Sequence, residues 1–230
     1  MQTNSSRNLS EIIGRISTQA GIPIGKKAVH DLLFYFKELH TWSRVTNLTG
    51  IKDPETLVIK HLGDTLLLIS HIPKDVRTVL DIGTGAGIPG LLMKLIRPEL
   101  YIVLAEAVKK KCSFLHFIIA SLGLREIFIE EKLISPQNPP EHLPEKGFDL
   151  IVSQAAGSVK WFAETGSDFL IPSGSMILLK GPSGEQELER YSEFLNKKGL
   201  SHTTARGHLP VAGHQRLLIR LKKKSKPPIT

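Results

Sequence analysis

Apolar positions in the first third of the chain repeat with the period of an α-helix. Leu9, Ile12, Ile13 and Ile16 make one stripe, and Val29, Leu32, Leu33, Phe36 and Leu39 make another. This three-and-four spacing puts side chains on one helix face. Asp53-Pro54-Glu55 reads as an N-cap followed by a proline in the first turn, opening a third helix that runs to about Ile72. Beyond Thr78 the period changes. Runs rich in aliphatic residues predict strands over 78–83, 101–107, 126–131, 148–154, 175–181 and 216–222. Helical patterns over 90–96, 109–122, 158–170 and 184–198 fall between several of them. Strands that are apolar at nearly every position suit parallel neighbours covered on both faces.

The alternation predicts an α/β fold, a doubly wound and mostly parallel sheet with right-handed crossovers. The last connection breaks the rhythm. Residues 201–211 and 216–222 flank a turn at Gly213 with no helix between them, and so predict a C-terminal antiparallel hairpin that brings the strands to seven. The expected organisation is an N-terminal helical extension (1–75), a sheet domain (76–224) and a basic tail (225–230).

The composition is that of a folded globular chain, with 41% hydrophobic and 23% charged residues in 230. Cys112 is the single cysteine, which excludes a disulfide framework and fits a reducing cytosol. No apolar run approaches the ~20 residues of a membrane span, and the opening MQTNSSRNLS lacks the apolar core of a signal peptide. The nine histidines show no metal-ligand spacing. A cytoplasmic monomer without membrane or metal partners is expected. The net charge of +8 points to an anionic partner such as nucleic acid, because a positive field concentrates polyanions at the surface.

The most informative segment is VLDIGTGAGIPG. A strand ends near Asp81, glycines follow at 83, 85 and 87, and a helix starts near Pro89. Glycine permits backbone angles closed to other residues and lets a ligand approach the main chain. Free N–H groups at the helix start add partial positive charge. A plain turn needs one or two glycines, so Gly83, Thr84, Gly85 and Gly87 read as a ligand loop. Two ligands compete for it. Gly85-Ala-Gly87-Ile-Pro-Gly90 satisfies the dinucleotide pattern, and Glu106, 21 residues after Gly85, falls where an NAD-linked oxidoreductase keeps its ribose acid. Charge separates them. A carboxylate at Asp81 would oppose a pyrophosphate, whereas S-adenosylmethionine carries a sulfonium, an ammonium and no phosphate. Glu106 would then accept from both ribose hydroxyls. Dinucleotide folds also tend to begin at their loop, and here some 75 residues precede it. S-adenosylmethionine is the favoured cofactor.

With these residues in view, the chain resembles the bacterial small-subunit rRNA guanine-N7 methyltransferases, the glucose-inhibited division protein B family, from about residue 30 to 222. The resemblance is carried by Trp42-Ser-Arg-Val-Thr-Asn47-Leu-Thr49, Lys60-His61-Leu-Gly-Asp64-Thr65, Asp81-Ile-Gly-Thr-Gly-Ala-Gly-Ile-Pro-Gly90, Lys109-Lys-Lys-Cys-Ser-Phe-Leu115 and Leu178-Leu-Lys180-Gly181. It implies a class I methyltransferase fold acting on small-subunit rRNA or a ribosomal subunit. It also implies that Gly83 and Ile88 line the methionine side of the cofactor, that Glu106 binds the ribose, that Leu133 and Ile134 border the adenine, and that Gln154 occupies a conserved cofactor-edge position. Two departures stand out. Lys132-Leu133-Ile134 replaces the family's Arg-Ala-Glu, and Ser153-Gln154-Ala155 replaces its Ser-Arg-Ala. Glutamine offers hydrogen bonds without charge. A third reading is therefore an RNA-binding ribosome-assembly protein that keeps the pocket without turnover.

Guanine N7 carries a lone pair and no proton, so the reaction needs no general base, and the resemblance names none. It places Asn47, His61 and Asp64 near the pocket mouth as positioning candidates, against a plain i, i+3 pairing of His61 and Asp64 on one helix face. Lys180 ends a strand at the carboxyl edge, where α/β sheets bind ligands, and reads as either a substrate contact or a solvated lysine. Trp42 reads as core. Arg44, Lys52, Lys60 and Lys180 around the mouth, and Lys222, Lys223, Lys224 and Lys226 in the tail, are candidate phosphate contacts.

Overall fold

In the computed structural model, which describes residues 4–154 and 157–224, the change of period at Thr78 is where helices give way to sheet. Three helices come first: α1 (Asn4–Ala20), α2 (Lys26–Thr46) and α3 (Pro54–Ser70). The Asp53 carboxylate accepts from the Thr56 N–H at 2.8 Å, the N-cap that the sequence predicts for α3. Then follow β1 (Thr78–Ile82), α4 (Gly90–Ile96), β2 (Tyr101–Ala105), α5 (Lys109–Ser121), β3 (Ile127–Glu130) and β4 (Phe148–Gln154). The chain continues through α6 (Val159–Gly166), a short 3-10 turn (Ser167–Phe169), β5 (Leu170–Lys180), α7 (Gly184–Lys197), β6 (Leu200–His208) and β7 (Gln215–Lys223). The basic tail expected at 225–230 lies outside the described residues.

The seven strands form one sheet in the order β3-β2-β1-β4-β5-β7-β6. The first five are parallel, and β7 runs antiparallel to both β5 and β6. The expected sheet with its terminal hairpin is therefore observed. Its last strand in sequence is not its edge: β7 inserts between β5 and β6. Two boundaries differ from expectation. The helix predicted to reach 170 ends at Gly166, and β5 starts at Leu170. The polar stretch Pro172-Ser173-Gly174 interrupts the apolar run there, and the pairing of β4 with β5 shifts register beside it. At the other end β6 stops at His208, because Val211 (φ 69°) and Gly213 (φ 66°) turn the chain through left-handed angles.

Side chains of each strand alternate between two apolar layers. Val79, Ile102 and Leu104 pack with α1 to α5, while Leu80, Val103 and Ile151 pack with α6 and α7. Ile13, Leu32, Phe36 and Leu39 of α1 and α2 share their cluster with Val79 of β1 and Leu91 of α4. Burial at roughly 1.5–3 kcal/mol per large aliphatic side chain makes this shared layer a principal source of cohesion. Helices α1 to α3 cover one face of the sheet, and α2 reaches the loop after β1 through Tyr35. No helix among the described residues is long and apolar enough to cross a membrane.

Candidate functional site

The glycine loop leaves β1 and is held from beneath. The Gly83 and Thr84 N–H groups both donate to the Ala105 carbonyl at the end of β2, at 2.9 and 3.1 Å. Its glycines do different work. A Cβ on Gly87 would sit 2.7 Å from Leu91, and one on Gly90 would sit 2.6 Å from Leu104 and 2.8 Å from the Asp81 carboxylate. Those two positions let α4 close onto β1 and β2. Gly85, at φ +62°, faces open space with nothing within 4 Å of its missing Cβ. Of these three, Gly85 is the one whose side-chain direction is left open.

Asp81 lies under the loop rather than on that side. It is fully buried, and its Oδ2 accepts from the Thr84 hydroxyl at 2.6 Å and the Gly90 N–H at 2.8 Å. Its Oδ1 is sealed from solvent with no partner. Desolvation pushes the carboxyl up to about 7, against the hydrogen bonds of Thr84 and Gly90. The charge argument that favours S-adenosylmethionine thus operates through the field of a buried group that braces the loop. Glu106, just beyond β2, accepts from Gly85 N–H at 3.1 Å and from Val108 N–H at 2.9 Å, with Lys111 Nζ at 3.5 Å. A carboxylate has about four lone-pair positions, so the acid keeps acceptor capacity beside the open face of Gly85.

A residue the sequence reading did not single out completes the support. Tyr35 of α2 is fully buried, and its hydroxyl donates to the Ala86 carbonyl in the loop at 2.9 Å. Burial, with the Asp81 charge nearby, holds its ionisation well above the usual phenol range. Trp42 of the same helix packs against Phe114 and Phe117 of α5, as core.

At the same sheet edge a second polar group assembles. Asp64 of α3 is 1% exposed. It accepts from Gln154 Nε2 at the end of β4, at 2.6 Å, and from Arg216 Nε at the start of β7, at 2.7 Å. His61 does not pair with Asp64. Its Nε2 faces the Thr49 hydroxyl at 3.4 Å, and its Nδ1 is buried without a partner. Burial, and secondarily Lys60, drops its pKa to about 4, so the ring is neutral at physiological pH. Arg216 is not among the sequence candidates, although an arginine directly ahead of the apolar run Leu217-Leu218-Ile219 is the signal that points to it.

The other sequence candidates separate. Asn47 caps α2 in a left-handed conformation (φ 50°) and lines a cavity of about 540 Å³ with His40, Ser43, Arg44, Thr49 and Lys52. Lys180 is neither solvated nor free: it pairs with Glu187 at 2.9 Å and donates to the Gly157 carbonyl at 2.8 Å. Leu133 is 74% exposed, Ile134 is buried, and Ile88 is partly buried against the core cluster of α1 to α5. Lys222 and Lys223 belong to β7, not to a tail, and Lys223 is tied to the Leu170 carbonyl at 2.6 Å. Lys226 lies outside the described residues.

The residues fit S-adenosylmethionine on two observations: the open cradle at Gly85 and the unpartnered Asp81 oxygen beneath it. Gly83, Thr84, Gly85, Gly87 and Ile88 would form its loop, and Glu106 would meet the ribose.

Comparison with known proteins agrees. The fold is close to that of an O-methyltransferase from Bacillus cereus in complex with SAH, with a TM-score of 0.58 at 16% identity over 95% of this chain and 100% of that one. It is also close to an S-adenosyl-L-methionine-dependent methyltransferase from Methanococcus maripaludis, with a TM-score of 0.56 at 16% identity over 84% and 94%. In sequence the chain is 31% identical to the ribosomal RNA small subunit methyltransferase G of Syntrophotalea carbinolica, over 94% of this chain and 97% of that protein. It is 32% identical to the enzyme of the same name from Burkholderia lata, over 83% and 82%. The model of one family, rRNA small subunit methyltransferase G, matches residues 28–214. With most of its length matched in this way, the chain belongs to the rRNA small subunit methyltransferase G family.

Proposed function

We propose that this protein transfers the methyl group of S-adenosylmethionine to N7 of a guanine in small-subunit rRNA. The observation that carries the reading is the open face of Gly85 beside the Glu106 carboxylate, at the carboxyl edge of β1 and β2. The cofactor supplies an electrophilic methyl on sulfonium. The protein has no proton to remove from N7, so its residues act by placement, an entropic contribution of up to ~7–11 kcal/mol in favourable systems. The loop fixes the cofactor backbone, Glu106 accepts from the ribose, and the segment after β3, with Leu133 and Ile134, borders the adenine. Neutral His61 and the cluster of Asp64, Gln154 and Arg216 shape the neighbouring edge.

Arg44 and Lys52 around the cavity at Asn47 give rRNA phosphates cationic partners. The guanine is unstacked to reach the loop, as in other base-modifying enzymes. On this reading the protein works in the cytoplasm, as a monomer and without a metal. The relatives and fold neighbours described above are methyltransferases, so the dinucleotide alternative is dropped.

The test is mass-spectrometric mapping of small-subunit rRNA after incubation with protein and labelled cofactor. One N7-methylguanine is expected. Cofactor binding with no methyl incorporation would favour the RNA-binding assembly reading instead.

A further inference from the structure

We propose that Glu130 and His142 form a clasp that positions the segment bordering the adenine, and that this pair sets how sharply the site distinguishes the base of its cofactor. The inference rests on the methyltransferase reading above and deepens it. Both are positioning residues, acting on the cofactor through the chain that runs between them.

β3 is an edge strand of the sheet and ends at Glu130. The Glu130 carbonyl accepts from the Glu106 N–H at 3.0 Å, so the ribose acid and the segment that meets the base start from paired positions at the carboxyl edge. After Glu130 the chain carries no helix and no strand of the sheet until Phe148. Such a stretch holds one shape only where side chains tie it down, and here the ties converge on Glu130. Its side chain is 2% exposed, and its Oε1 accepts from the backbone N–H and from Nδ1 of His142, each at 2.9 Å. The imidazole stacks on Phe128, with ring centroids 4.3 Å apart and planes at 19°. The His142 carbonyl accepts from the Tyr101 hydroxyl at 3.1 Å. Lys132 Nζ lies 3.6 Å from Glu130 Oε2 and 3.2 Å from Glu141 Oε1. Burial pushes the Glu130 carboxyl up, but the bonds from His142 and Glu141 and the Lys132 charge outweigh it and hold the group below the usual carboxylate range. An ionised carboxylate only accepts, so His142 Nδ1 carries the proton.

The clasp closes a loop that contains Leu133 and Ile134. A second tie lies inside it. Asn138 and Ser135 exchange backbone bonds at 2.9 and 3.0 Å, and Asn138 Nδ2 donates to the Leu133 carbonyl at 2.8 Å. Ile134 is drawn into the apolar layer with Val103 and Phe148, while Leu133 stays exposed. An exposed leucine on a segment tied twice, three residues beyond the strand end that pairs with the ribose acid, gives a planar base an apolar surface of fixed position. A base is read only as sharply as the groups that read it are held.

Calorimetric titration tests this with S-adenosylhomocysteine and with S-inosylhomocysteine, in which a carbonyl oxygen replaces the 6-amino group. The proteins are wild type, Glu130→Gln, Glu130→Ala, His142→Ala and the double alanine variant. Wild type should prefer the adenine ligand by about tenfold or more. Each single alanine variant should weaken S-adenosylhomocysteine about tenfold and cut the preference to about threefold. The double variant should be no worse than the weaker single one, because both changes remove one interaction. Glu130→Gln keeps an acceptor oxygen for His142 and should bind nearly as wild type does. At saturating cofactor the methyl-transfer rate on rRNA should be that of wild type in every variant, since the clasp acts on the base and not on the reacting methyl. Should Glu130→Ala fail to fold, His142→Ala, at a side chain 39% exposed, carries the same readouts. Wild-type affinity and preference in the alanine variants would overturn the proposal. So would weaker binding with an unchanged preference, which marks a structural role alone, or a wild type with no preference. A wild type that binds neither nucleoside fails the cofactor reading itself and takes the clasp with it, whereas matching variants of a discriminating wild type sink the clasp only.

Discussion

The Tyr35 hydroxyl donates to the Ala86 carbonyl across 51 residues of sequence, and both groups are buried. The second helix is thereby fastened to the loop that faces the cofactor. Tyr35→Phe leaves that carbonyl buried without its donor, a cost of roughly 1–3 kcal/mol. Urea unfolding should report this loss, and calorimetry should report weaker binding of S-adenosylhomocysteine, because the loop loses a brace. Unchanged affinity in a clearly destabilised variant would show that the tie serves stability alone.

Gly85 is the loop position whose side-chain direction opens on the ligand. Gly85→Asn keeps a residue type that tolerates its left-handed angle, so the fold should survive. S-adenosylhomocysteine should then give a much smaller rise in Tm than it gives wild type. Gly85→Val should abolish the shift altogether. A full shift in both variants would move the cofactor away from this loop.

Asp81 makes a prediction about pH. Its folded pKa of about 7 lies above the ordinary value of 3.8. The folded state therefore holds a proton that the unfolded state releases, and stability falls as pH rises from about 4 to about 7. Full expression of the shift corresponds to roughly 4 kcal/mol. Asp81→Asn cannot ionise and its carbonyl can still accept from Thr84 and Gly90, so its stability should be flat across that window. Parallel stability curves for the two proteins would assign the proton to another group.

Binding to small-subunit rRNA should weaken steeply with salt. Replacing Arg44 and Lys52 by alanine should make the slope of log affinity against log salt shallower by roughly 1–2, the loss of about two phosphate contacts. An unchanged slope would place the phosphate path elsewhere on the protein.

What the sequence disclosed, it disclosed locally. The stripes of Leu9 to Ile16 and Val29 to Leu39, the Asp53 cap and the glycine run each announce themselves within a few residues, because helix period, capping and left-handed angles are short-range constraints. The start of β5 was hidden by Pro172-Ser173-Gly174, whose polarity reads as loop although the backbone is strand. The Asp64, Gln154 and Arg216 cluster joins three segments, and Asp64 and Arg216 are 152 residues apart. Only the placement of β7 between β5 and β6 brings them together. Asp81 was found for its charge, yet its main contacts are structural, a distinction set by burial that no spacing reveals.

The inserted last strand also has a consequence for biogenesis. A chain is made from its N-terminus, and folding units tend to form in that order as they emerge. When β5 has just been synthesised its outer edge has no neighbour, a template open to wrong pairings. Asp64, already enclosed by α3 and its surroundings, has no guanidinium. β6 emerges next, but in the finished sheet it pairs with β7 and not with β5. Only when Gln215–Lys223 threads between the two is the edge closed, and the same event delivers Arg216 to Asp64. Closure of the β5 edge and pairing of Asp64 with Arg216 are therefore one event, and a chain cut before Gln215 lacks both.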